Sequence, residues 1–294
     1  MSSEILAGRS PASPPAKTAT IAVAVAVMLA AGSEASADIV NVQSALTTEA
    51  EEGLTGSVTG SADWREGNST RLTLGLAPVA RWRGGDHRVI GLIRGELFRA
   101  NDGEFDRKTF EHLRYRYLFS DRLLAEVFVQ HEFNEVRRLD LRALVGFGPK
   151  YQLVDADKLQ VGVGVAYMLE YERLQGSWKI DEDADVGERD VLGHRISSYL
   201  TGSYELEEGR LQLVQTLYAQ PLLTSPGDVR LLSESLLVVK VTQSVSLSTS
   251  FTLALDSRPP FEDCDPGMCT GEGGAPDEVE PYDTALKTSL TYSF

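Results

Sequence analysis

The residues of this chain best suited to chemistry are charged ones set two apart. His112, Arg114 and Arg116 follow Phe110 on one face of the segment 107–119. Glu126 and Glu132 stand in 122–134, Arg94 and Glu96 in 87–100, and Arg138, Asp140 and Arg142 in 138–152. Glu170, Arg195 and Glu205 extend the set. In an extended chain, residues two apart point the same way. Charges gathered inside a closed sheet can do one of two things. Opposite charges on neighbouring strands stabilise the sheet by roughly 0.2–1 kcal/mol per pair. Charges around water instead form a constriction that selects solutes. Sheets of this size close either filled or open, and the preferred expectation is a salt-bridged, largely closed interior. Arg114 and Arg116 should then find carboxylates on neighbouring strands, with Glu96, Glu126 and Glu132 on offer.

Other constellations are weaker. Ester hydrolysis needs Ser and His within hydrogen-bond reach. The four histidines are His87, His112, His131 and His194. In "GHRISS", His194 and Ser198 share a strand face but stand about 13 Å apart along it, too far for a direct pair; a cross-strand partner stays open. No nucleophile–base motif is evident, so catalytic residues are not expected. Cys264 and Cys269 frame "CDPGMC". Pro and Gly favour a tight turn there, and an oxidising compartment would close a small disulfide. Zinc would need His among the neighbouring Asp and Glu. "KIDEDADVGERD" (179–190) lacks the sixth-position glycine and flanking helices of an EF-hand. It reads as a solvated loop, with weak divalent-cation binding among lipopolysaccharide phosphates as the alternative. No cofactor or metal is expected. A net charge of −15 argues against nucleic acid, whose phosphates it would repel.

The elements that must position these charges are strands. No apolar run reaches the ~18 residues of a membrane-spanning helix. Residues 1–37 read as a signal peptide: Arg9 and Lys17, the apolar "IAVAVAVMLAA", then "ASA" ahead of Asp38. Residues 38–52 show no sustained period and read as a periplasmic polar stub. From Gly53 the chain alternates in polarity over twelve segments: 53–64, 70–83, 87–100, 107–119, 122–134, 138–152, 158–172, 191–206, 210–221, 228–241, 244–257 and 282–294. Connections two, four, six, eight and ten are uniformly short. Both very long ones, near 173–190 and 258–281, fall in the odd set. Loop length that alternates this way marks a transmembrane barrel with short periplasmic turns. The expected fold is all-β: a single antiparallel up-and-down barrel over 53–294, both termini periplasmic. An Arg facing lipid near the midplane costs roughly 2–4 kcal/mol. Arg114 and Arg116 should therefore point inward, with Tyr115, Tyr117 and Phe119 outward. The last strand sets Leu286, Thr288, Leu290, Tyr292 and Phe294 against Ala285, Lys287, Ser289, Thr291 and Ser293. It should close the barrel against the first.

The stretches "GLTGSVTGSADWREGNSTRLTLGL", "LRYRYLFSDRLLAEVFVQHEFN" and "LDLRALVGFGPKYQLVDADKLQVGVGVAY", with the ending "LKTSLTYSF", resemble the family catalogued as domain of unknown function 481. Its members are described as salt-induced outer-membrane proteins. The run from Leu141 to Gly148 is the most telling part. The resemblance implies a Gram-negative outer-membrane barrel and brings no established activity or catalytic residues. It also implies that Phe294 is read by the outer-membrane assembly machinery. The partners it implies are outer-membrane lipid and lipopolysaccharide. The function expected is passive, a structural envelope protein or a narrow porin-like channel. A hydrolase of envelope lipids is the alternative.

Overall fold

The computed structural model describes residues 39, 41–43, 52–65, 71–100, 103, 105–135, 139–174, 190–258 and 281–294. All belong to one compact unit, Gly32–Phe294. Residues 1–37, read above as a signal peptide, and Arg138, Cys264 and Cys269 lie outside the described residues.

The chain forms β1 (Gly53–Arg65), β2 (Arg71–Gly84), β3 (His87–Ala100), β4 (Asp106–Leu118), β5 (Leu123–Asn134) and β6 (Leu139–Asp155). It continues with β7 (Leu159–Leu174), β8 (Asp190–Leu206), β9 (Leu211–Pro221), β10 (Val229–Lys240), β11 (Val245–Asp256) and β12 (Tyr282–Ser293). Each strand pairs antiparallel with its sequence neighbours, and β12 pairs with β1 to close the barrel. Every strand end lies within a few residues of its expected place. The alternating connections hold too. One rim carries the short turns, such as Gly84–His87 and Ala156–Leu159; the other carries the long connections after β7 and β11.

Burial is inverted relative to a soluble protein. Leu76, Leu113, Val127, Phe147, Leu217, Phe251 and Leu290 are exposed, whereas His112, Arg114, Glu132 and Arg142 are buried. In a single closed layer, a buried side chain faces the interior. The apolar outside therefore needs a lipid solvent, and a closed barrel leaves no backbone edge unpaired in it. An apolar exterior around a charged interior is the outer-membrane architecture, and this is an outer-membrane protein. At the short-turn rim, Tyr117 lies edge-on to Phe119 at 5.0 Å, and Tyr292 stacks with Phe294 at 6.2 Å. Aromatic rings at this level suit the membrane–water interface.

The closing seam is short. Ser57–Ser61 of β1 face Ser289–Ser293 of β12, whereas β1 and β2 pair from Gly53 to Arg65. Beyond the seam, Gly56 and Phe294 exchange both backbone N–H···O bonds at 3.0 Å. The Phe294 ring lies over Gly56, where an added Cβ would stand 2.7 Å from ring carbons.

A tighter approach falls between β6 and β7. A Cβ on Gly148 would stand 2.0 Å from the Val165 carbonyl oxygen and 2.6 Å from the Ala166 Cα. Backbone atoms cannot swing aside as a side chain can. Gly148→Ala is therefore expected to cost about 1–3 kcal/mol of stability, as overpacking does, read as a lower urea midpoint in detergent micelles. An unchanged midpoint would mean the two strands part freely there.

Candidate functional site: the barrel interior

Two belts of charge cross the interior. In the first, Glu126 of β5 holds both β4 arginines. Arg114 Nη1 stands 3.1 Å from Glu126 Oε2, and Arg116 Nη2 stands 2.6 Å from Oε1. The Tyr199 hydroxyl of β8 donates to Glu126 Oε2 at 2.8 Å from across the barrel. Arg114 Nε donates to His112 Nε2 at 3.2 Å, and its guanidinium lies 4.7 Å from the Phe128 ring centroid. Register explains the pairing: Arg116 directly faces Glu126, and Arg114 faces Phe128.

The second belt lies nearer the long-loop rim. Arg230 of β10 reaches over β9 and β8 to Glu170 at 2.7 Å and Glu172 at 3.1 Å, both on β7. It also meets Asp256 of β11 at 3.3 Å. Arg142 stands 3.2 Å from Glu170, 3.3 Å from Glu172 and 3.9 Å from Glu132. Arg195 donates to the Gln220 carbonyl and to Asp228, each at 3.0 Å. Glu132 has Lys108 at 3.7 Å as its other cation. The arginines and glutamates of both belts are only 0–4 % exposed. Desolvating such charges costs several kcal/mol each unless partners compensate, and here they converge on one another.

The other expected interior residues are less central. Glu96 pairs with Lys287 of β12 rather than with Arg114. Arg94 and Glu205 are half-buried on β3 and β8. Asp140 falls at an irregularity in the β5–β6 and β6–β7 registers, where Leu139 takes the buried place. So of the three carboxylates offered to Arg114 and Arg116, only Glu126 takes them. Sequence reasoning missed Glu172, Arg230, Asp256 and Tyr199. Glu172 was readable, since it continues the Glu170 face. Arg230 was not: "VRLLSESLLVVK" carries leucine and valine on both faces.

Residues 39 and 41–43 of the N-terminal stretch also lie inside. Ile39 packs with Tyr199, Tyr218, Leu232 and Ala254, and Val42 with Val79, Ile90, Leu92 and Phe110. Asn41 Nδ2 donates to Glu234 Oε1 at 2.8 Å, and Arg116 Nη2 donates to Gln43 Oε1 at 3.2 Å. The sequence reading left 38–52 outside as a polar stub, because so few residues show no period. One cavity, of about 30 Å³, is bordered by Ile39, Val42, His112, Arg114, Met168 and Tyr218. A second of about 30 Å³ lies by Gln43, Lys150 and Thr201. Each has room for water and nothing larger.

The residues considered for hydrolysis have other partners. His194 Nδ1 is 2.6 Å from the Tyr167 hydroxyl, and Ser198 Oγ donates to the Ala219 carbonyl at 3.1 Å. Ser197 accepts from Gln220 Nε2 at 3.1 Å.

The sequence profile of a family described as protein of unknown function, DUF481, matches residues 58–294. The chain belongs to this family. The match spans nearly the whole DUF481 barrel, including both belts and the closing strand. No curated protein matches the chain. Among solved structures it is similar to the KdgM porin at 11% identity and TM-score 0.42, covering 82% of this chain and 99% of that one. It is similar to the NanC porin at 7% identity and TM-score 0.47, covering 81% and 98%. The COG4313 outer membrane channel from Pseudomonas putida F1 is similar at 12% identity and TM-score 0.47, covering 84% and 97%.

Proposed function

We propose that this outer-membrane barrel is a passive envelope component whose interior is closed at rest. The observation that carries the reading is the burial of the two belts. In an open, wet pore, inward arginines and glutamates would be solvated; here Arg142 and Glu132 are 1 % and 0 % exposed. Short turns belong on the periplasmic side of such barrels, so the short-turn rim, with Phe294, faces the periplasm and the long loops face outward. Purified full-length barrel in a planar lipid bilayer is expected to leave the baseline conductance unchanged. Stable, ohmic steps from the wild-type protein would overturn the closed reading in favour of a constitutive channel.

A further inference from the structure

The two sides of the barrel wall differ in what they send inward. The side built by β4–β8 and β10 sends Arg, Glu, Tyr and Phe, which reach across and lock together. Apart from Asp256, held by Arg230, and Lys287, which runs along the wall to Glu96, the side built by β11, β12 and β1 sends chiefly short groups, among them Ser248, Ser250, Ser289, Thr291, Ser57 and Thr59. These side chains are too short to span the interior. Apart from Ser57, they are half-buried rather than sealed. On β2, Gly75 continues this wall; a Cβ there would meet Ser61 Oγ at 2.5 Å.

Ile39, Asn41, Val42 and Gln43 occupy the interior between the two sides. Ile39 rests on residues of β8, β9, β10 and β11, and Val42 on residues of β2, β3 and β4, so the four residues cross the barrel. Their attachment is that of a ligand rather than of a strand. Two apolar side chains sit in two separate apolar clusters, and two amides each make one bond to a charged interior group, Glu234 and Arg116.

We infer that these four residues act as an internal ligand that blocks a passage for water and small hydrophilic solutes along the β11–β12–β1 wall. The inference rests on the closed reading above and adds what does the closing. Hydroxyl groups and Lys287 line the wall side of this passage, and displacing the segment frees Glu234 and removes one partner of Arg116, which keeps Glu126.

The test compares the chain from Asp38 onward with the same chain lacking 39–43, both refolded into detergent and added to planar bilayers. A third protein carries Ile39→Asp and Val42→Asp at full length. The deletion and the double substitution are expected to show stable steps at least tenfold above the wild-type current. A synthetic peptide with the sequence of residues 38–48 should block the deletion barrel and leave a barrel with its own segment unaffected. If the wild type is silent and the folded deletion barrel is equally silent, the inference falls while the closed reading stands. If neither altered protein folds, the segment is a folding element and the inference also falls. If the wild type conducts steadily, the closed reading itself is overturned.

Discussion

Replacing Arg230 with methionine is expected to lower the unfolding free energy of the barrel by about 3–5 kcal/mol, the usual cost of removing one partner from a buried ion cluster. One guanidinium here faces Glu170, Glu172 and Asp256 at 2.7, 3.1 and 3.3 Å. Arg142 is left to compensate Glu172 and, with Arg195 at 3.7 Å, Glu170, and it already faces Glu132 as well. Arg230→Lys should recover only part of the loss, since a single ammonium lacks the fork that reaches several carboxylates at once. The measurement is a urea titration of the refolded barrel, followed by circular dichroism and by heat-modifiable mobility. Midpoints that do not move for either variant would mean that water reaches this belt and already solvates its carboxylates.

Glu126→Gln should be nearly as damaging, at about 3 kcal/mol, for the opposite reason. It removes the one carboxylate paired with both Arg114 and Arg116, so two buried cations lose their counter-charge. The amide keeps the shape and can still accept from Tyr199, so cavity formation contributes little. Tyr199→Phe, which removes only the hydroxyl of a 2.8 Å hydrogen bond, should cost about 1 kcal/mol. The contrast between the two variants separates charge from hydrogen bonding. A closed interior shows these losses with no current. An open one would show little change in melting and a selectivity shifted toward anions, and that result would sink the belt as a structural element.

Most strands were legible because their two faces differ in chemistry. Arg114 and Arg116 alternate with Tyr115 and Tyr117, and lipid tolerates only the second pair. Loop parity was legible because short turns and long connections alternate along the chain. Partner choice was not, because inward side chains converge. Arg230 meets Glu170 over two intervening strands, and Glu96 meets Lys287 over β2 and β1. A strand-by-strand reading sees only adjacent strands, which is why it found Arg116 with Glu126 and missed the Arg230 cluster. It also offered Glu96 to Arg114, but the register sets Glu96 opposite Lys108 and Arg114 opposite Ile90. The inward place of Ile39 and Val42 had no signal at all. Two apolar residues in a polar stretch look alike whether they lie in solvent or inside a barrel.

The short pairing of β1 with β12 bears on how the molecule comes together. Every other pairing joins strands adjacent in the chain, so each can form as a local hairpin with a modest loop-closure cost. Only Ser57–Ser61 and Ser289–Ser293, with Gly56 and Phe294 beyond them, must find each other across nearly the full length of the barrel. Long-range pairing of this kind slows folding. Assembly then resembles a ribbon that grows turn by turn and is clasped once. The clasp sets the pace, and because it is the shortest stretch of paired backbone, it is also where the ring parts first under strain.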